Sequence, residues 1–193
     1  MHDAMTLDSL TVRRAGPSDV PQLAEFAARL FIETFGPDNR PEDTAAHVAN
    51  SFGPAHQARE IADPDFVTLV VDGGDGLAAY AQVRRTTAPS CVTTDAPVEL
   101  YRFYVDRPWH GQGLAQRLME AVHAAAATLG GRSIWLSVWE RNPRGIAFYT
   151  KVGYRDVGGA IFMLGTDPQN DRVLVVPVST HALKGFRPDG DDT

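Results

Sequence analysis

The chain has 193 residues, with 18 basic and 24 acidic side chains and a formal net charge of −6. That length predicts one domain with room for a real core, and the acidic balance argues against a nucleic-acid or anionic-membrane partner while suiting a cationic one. Cys91 is the single cysteine, so an intrachain disulfide is excluded. No apolar run approaches the roughly 20 residues of a membrane span and the N-terminus lacks a signal-peptide pattern, so a cytoplasmic enzyme is expected.

Residues 10–14 read as a short first strand. Gly16-Pro17-Ser18 opens a helix with Ser18 as its cap and Pro21 in the first turn, carrying Val20, Leu23, Ala27, Leu30 and Phe31 as its buried stripe. Pro41 opens a second helix running to about Phe52, and Gly53-Pro54 a third, weaker one. The period then changes. Residues 66–71 form a continuous apolar run suited to a central strand, Asp72 to Gly76 a hairpin turn, 77–85 the next strand and 98–105 another. Leu114, Leu118, Val122, Ala125 and Leu129 mark a long helix that stops at Gly130-Gly131. A strand over 133–139 precedes Asn142-Pro143, the cap and first residue of another helix, which ends at Gly153. Two final strands are expected near 157–164 and 172–178. One domain over residues 1–180 is predicted, with a polar, disordered tail over 181–193. The sum is a mixed α/β sheet with helices on both faces.

The stretch from Tyr104 to Ala115 joins a buried strand to the long helix through Gly111 and Gly113. Glycines at a helix entry leave the first free backbone N–H groups uncovered, at the positive end of the helix dipole, where a phosphate or pyrophosphate can bind. Taken alone, the same residues are also a tight strand-to-helix turn. A nucleoside-triphosphate loop is excluded because Leu114-Ala115 stands where Lys-Ser/Thr is required, and a dinucleotide fingerprint because Gln116 stands where its third small residue belongs.

His110-Gly111-Gln112-Gly113-Leu114-Ala115 resembles the acyl-CoA loop, (Gln/Arg)-x-x-Gly-x-(Gly/Ala), of the GNAT superfamily of acetyl-CoA-dependent N-acetyltransferases, His110 replacing Gln or Arg. Asn142 to Tyr154 is similar to that family's Asn-x-x-(Ala)-x-x-Phe-Tyr-x-x-x-Gly-(Phe/Tyr) pattern, with Gly145 replacing alanine. The resemblance spans roughly residues 11–178. Within the superfamily the segments 98–105, 138–142 and 161–171 look like bacterial spermidine/spermine acetyltransferases. It implies a GNAT fold: a mixed, mostly antiparallel sheet with splayed central strands.

The resemblance also implies roles. Acetyl-CoA is the expected cofactor, held by Phe103, Tyr104 and Val105 on the strand, by His110, Gly111, Gln112, Gly113, Leu114 and Ala115 in the loop, and by Asn142 and Tyr149. Tyr149 is the candidate general acid, since a phenol of pKa about 10 can protonate a departing thiolate whose thiol titrates near 8.5. A core tyrosine with its hydroxyl satisfied is the other reading. Glu99 is the candidate base, acting through water because it lies about 13 Å along the strand from Phe103; a solvated carboxylate is the other reading. Glu33, Asp38, Tyr80, Tyr101 and Trp139 are expected to form an acidic, aromatic mouth for a cationic acceptor. Arg84, Arg85, Arg141 and Arg144 are expected on exposed faces or at CoA phosphates. No metal site, nucleic-acid partner or membrane contact is expected, and a homodimer is the family habit. The leading acceptor is a polyamine-like primary amine. Alternatives are an aminoglycoside antibiotic, a protein amino group, or a module that binds acetyl-CoA without turnover.

Overall fold

A computed structural model describes Leu7 and residues 10–179; the expected tail over 181–193 lies outside the described residues. The elements are β1 (Val12–Arg14), α1 (Val20–Phe35), α2 (Pro41–Ser51), α3 (Pro54–Ala62), β2 (Phe66–Asp72), β3 (Leu77–Arg84), β4 (Pro97–Val105), α4 (Leu114–Thr128), β5 (Ser133–Trp139), α5 (Pro143–Lys151), β6 (Arg155–Leu164) and β7 (Asp167–Pro177). The strands form one sheet in the order β1-β2-β3-β4-β5-β7-β6. Its pairs are antiparallel except β4 with β5, which run parallel through the α4 crossover.

The continuous apolar run of β2 is explained by burial on both faces. Val67, Leu69 and Val71 meet Leu114, Leu118, Val122 and Ala125 of α4 on one side. On the other, Val70 joins Leu23, Phe26, Ala27 and Leu30 of α1. β3 divides in the same way, Ala79, Ala81 and Val83 toward α4 and Leu77 and Tyr80 toward α1.

Two local expectations are corrected. Asp19, not Ser18, occupies the cap position of α1, after a single 3-10 turn over Pro17–Asp19. Its carboxylate accepts the Gly16 N–H at 2.7 Å and pairs with Arg13 at 2.8 Å, and the Arg13 hydrogen bond holds it below the usual carboxylate range. A carboxylate that meets both a free N–H and a guanidinium outcompetes a hydroxyl that meets neither. The last two strands are also longer than their apolar residues indicate, because β6 and β7 make a tight hairpin in which polar residues continue the ladder. Asp43 of α2 accepts the Thr166 N–H at the hairpin turn at 2.9 Å and pairs with Arg40 at 2.7 Å. That contact pins the α1–α2 layer to the far edge of the sheet and encloses the space between them.

Candidate active site

β4 and β5 pair only at their beginnings, from Pro97↔Ser133 to Glu99↔Trp135. Beyond that point β4 stays with β3 and β5 with β7, so the two strands open into a V. The register between β3 and β4 slips after Gln82/Val83, which leaves Tyr101 as an extra residue on β4. A bulge of this kind bends and twists its strand. Tyr101 is clasped there by the guanidinium of Arg84, 3.5 Å from its ring centroid, and that of Arg102 at 4.4 Å. Asp106 N–H donates to Ala78 at 2.9 Å, so the two-residue period turns the main-chain groups of Phe103 and Val105 away from β3, into the gap.

The gap opens into a cleft of about 1200 Å³ that passes from one face of the sheet to the other. On the α4/α5 face stands the glycine loop. Gly111 has φ +77° and Gly113 φ +92°, left-handed values that favour glycine. A methyl on Gly111 would meet nothing within 4 Å, so the loop leaves open space above its amides. The first turn of α4 has no side-chain cap and no acidic residue, and the N–H groups of residues 111–116 find no acceptor among the described residues. Arg107, Arg141, Arg144 and Lys151 line the same cleft without a carboxylate partner among the described residues. Free amides at a helix N-terminus flanked by unpaired cations suit a diphosphate-bearing ligand such as CoA.

α5 is set by local code: the Asn142 carboxamide oxygen accepts the Gly145 N–H at 2.9 Å and Pro143 fills the first turn. It lays Phe148 flat on Phe103 (5.5 Å, 24°) and sets Tyr149 edge-on to the same ring (6.2 Å, 66°). Tyr149 thereby borders the gap, and burial lifts its phenol above the ordinary range. It stays protonated at neutral pH.

The opposite face is walled by Phe31, Phe35, Phe52, Tyr104, Trp139 and Phe162. Glu33, Asp38, Tyr101 and Trp139 line the cleft, and Glu33 is shared with Arg29 at 3.1 Å. Tyr80 does not. It is fully buried on central strand β3, stacked on Tyr104 (5.3 Å, 5°) and edge-on to Phe26, so it supports the wall from behind. Glu99 reaches the cleft but its carboxylate accepts from Arg84 at 2.5 Å, at the closed end of the V. Burial raises its pKa and the Arg84 hydrogen bond opposes that rise.

His110, Gln112 and Leu114 are placed differently from simple ligand contacts. The His110 Nε2–H donates to the Val105 carbonyl at 2.7 Å, tying the loop to the end of β4. The exposed Gln112 side chain donates to the Pro108 carbonyl at 2.6 Å, and Leu114 is fully buried at the head of α4; neither lines the cleft, whereas Gly111, Gly113 and Ala115 do. Arg84 and Arg85 are likewise structural: Arg84 holds Glu99, and Arg85 donates to the Leu129 carbonyl at the end of α4 and pairs with Asp65.

Two cleft residues carry no local signal in the sequence. Arg102 is buried and donates to Glu60 (2.7 Å), Gln82 (2.6 Å) and the Ser51 carbonyl (3.0 Å). Asp171 of β7 is 8% exposed, lines the cleft, and has no hydrogen-bond or ionic partner among the described residues. Only a strand alternation extended through polar residues would have turned Asp171 inward, and no periodicity marks Arg102.

Comparison with known proteins agrees with this geometry. The pattern of the acetyltransferase (GNAT) family matches residues 25–154. An uncharacterized N-acetyltransferase of Mycobacterium tuberculosis is 34% identical over 158 residues, 82% of this chain and 97% of that one. Among solved structures, the PaiA N-acetyltransferase of Thermoplasma acidophilum in complex with coenzyme A is similar, with a TM-score of 0.71 at 16% identity over 88% of this chain and 99% of that one. A spermidine N-acetyltransferase of Vibrio cholerae, in complex with CoA and spermine, is similar with a TM-score of 0.59 at 16% identity, over 89% and 96% of the two chains. The splayed strands, the uncapped glycine loop and the family match converge: this chain belongs to the GNAT family of acetyl-CoA-dependent N-acetyltransferases.

Proposed function

We propose that the chain acetylates a primary amine of a small cationic, polyamine-like acceptor by direct attack in a ternary complex. The observation that carries the reading is the through-going gap between β4 and β5, with a diphosphate-suited face on one side and an acidic, aromatic face on the other. The polyamine class is further supported by the similarity to the Vibrio cholerae spermidine N-acetyltransferase, the acidic balance of the chain, and Glu33 and Asp38 at the rim.

Acetyl-CoA supplies the acetyl thioester as electrophile. The amides of Gly111, Gly113 and Ala115 hold the diphosphate, with Arg107, Arg144 and Lys151 neutralising the remaining phosphate charge. The outward main-chain groups of Phe103 and Val105 align the pantetheine arm, and an amide there faces the carbonyl oxygen on which negative charge develops. His110 positions that edge through the Val105 carbonyl. Tyr149 delivers a proton to the sulfur. Glu99 is bound to Arg84 at the closed end of the V, set back from the open edge of Phe103.

The test is acetyl-CoA consumption by the purified chain with spermidine, kanamycin or a lysine-containing peptide. Turnover is expected with spermidine. Transfer to kanamycin or the peptide alone would replace the acceptor class, and CoA binding without turnover on any of them would leave a non-catalytic module. The loop has its own test. Gly113→Val places a branched side chain at φ +92° against Leu7, whose Cδ2 would sit 3.2 Å from a new Cβ. The conformation costs about 1–2 kcal/mol, and loss of one amide's approach should raise the acetyl-CoA Kd at least about tenfold, where each tenfold is ~1.4 kcal/mol. Calorimetry reads it; an unchanged Kd would move the diphosphate elsewhere.

A further inference from the structure

Asp171 is a buried carboxylate with no visible structural purpose. Alternation along β7 sends Leu174 and Val176 into the core under α4, and Val173 and Val175 to the opposite face. Asp171 keeps the parity of Val173, so it stands on the acceptor face and borders the cleft. Its Cα partner on β5 is Trp139. The last β4–β5 pair is Glu99↔Trp135; Trp139 lies about 13 Å beyond it on β5, and Phe103 about 10 Å beyond it on β4, where the Tyr101 bulge takes up one residue. Asp171 therefore lies within about one residue step of the open edge of Phe103 across the gap. Glu99 sits at the closed end, bound to Arg84.

We propose that Asp171 receives the reacting ammonium of the acceptor and takes its proton, while the aromatic wall holds the apolar stem that carries the amine. This rests on the acyl-transfer reading above and names a catalytic residue for it. A largely buried carboxylate with no ionic partner among the described residues costs stability, and an ammonium seated against it supplies that partner. Trp139 beside it, edge-on to Phe35 at 6.2 Å, gives the cleft an apolar wall for methylene groups. Burial, with repulsion from Glu140, raises the Asp171 carboxyl to about 6, within reach of proton transfer at neutral pH.

The proton balance closes. Of the three ammonium protons, one passes to Asp171 and on to solvent. The nitrogen lone pair then forms the bond to the acetyl carbon as the carbon–sulfur bond breaks. A second proton leaves the nitrogen and, by way of the Tyr149 hydroxyl, ends on the departing sulfur. The third stays on the amide.

The test uses Asp171→Asn, which keeps shape and removes charge, with acetyl-CoA and either spermidine or n-hexylamine. Expected is about a hundredfold loss of kcat/KM for both amines, with the KM for acetyl-CoA unchanged. The wild-type acid limb near pH 6 should vanish in the variant. Glu140 after β5 acts on Asp171 by repulsion; the other titratable or charged groups lining the cleft are His47 of α2, Glu33 and Asp38 of the α1 end, Glu99, Tyr101, Arg102 and Tyr104 of β4, Arg107 and His110 before α4, Arg141 after β5, and Arg144, Tyr149 and Lys151 of α5. Burial holds His47 below the ordinary imidazole range, and its limb would persist in the variant. Melting supplies a second readout. A folded-state carboxyl raised from 3.8 to about 6 loses stability as pH rises through that window. Asp171→Asn should thus melt above the wild type at pH 8 and match it near pH 4. Retention of kcat/KM within threefold together with the acid limb, or a lower melting temperature at pH 8, would overturn the assignment alone. Failure of the wild type to acetylate either amine would overturn it together with the reading beneath it.

Discussion

Tyr149→Phe is expected to lower kcat by about 10²–10³-fold, the range a positioned general acid contributes, while the KM for acetyl-CoA changes little. The separation follows from how the ring is held. Its contacts with Phe103, Phe148 and Tyr154 are aromatic and survive the loss of one oxygen. What disappears is the phenolic proton donor that borders the gap beside Phe103. Because burial lifts the phenol above its usual pKa, the wild-type hydroxyl stays protonated through pH 9 and contributes no alkaline fall in kcat below that point. A variant with kcat within twofold of wild type would reassign Tyr149 to packing, and a melting temperature matching wild type would exclude misfolding as the cause of a loss.

Arg102→Leu should be the most damaging substitution for stability, at about 3–5 kcal/mol, the usual consequence of removing one partner from a buried ion pair. Arg102 and Glu60 are both buried, and each also engages Gln82. The arginine further lies 4.6 Å from the Phe52 ring and 4.4 Å from Tyr101, so its loss removes two aromatic contacts with a cation. Out of a total of roughly 5–15 kcal/mol for a domain, that shift approaches unfolding, and urea denaturation reads it directly. The double variant Arg102→Leu, Glu60→Gln removes both charges and should regain about half of the loss, because the uncompensated carboxylate is then gone. If the double variant is no more stable than Arg102→Leu, the network acts through shape and not through charge. The pair also matters for function: it anchors α3 beneath the bulge at Tyr101, where β4 begins to leave β5.

Legibility of the fold followed the range of the interactions involved. The α4 stripe from Leu114 to Leu129, the Asn142-Pro143 start of α5 and the Asp72–Gly76 turn all depend on residues within a few positions of one another, and all appear at those places. Two short motifs, the glycine loop and the Asn142–Tyr154 segment, sufficed to expect the splayed architecture. The Ser18 cap failed because the competing ligand of Asp19 is Arg13, on a strand the helix itself does not contain. Tyr80 was misplaced for a similar reason: as an aromatic among apolar neighbours on a strand, nothing local tells which face of the sheet it meets or that Tyr104 covers it.

The amino-acid sequence by itself determined where the chain turns, which helix entry lies bare for a diphosphate, and which tyrosine rides on the helix beside it, since each of these is written in adjacent backbone preferences. Tertiary structure alone decided that β4 parts from β5 after Glu99, that Arg84 and Arg102 clasp the bulged Tyr101, and that Asp171 turns inward with no partner among the described residues. The physical reason is register. Sheet pairing joins segments separated by whole helices, and a one-residue slip such as that at Tyr101 reverses which side chains face the cleft without altering any local preference.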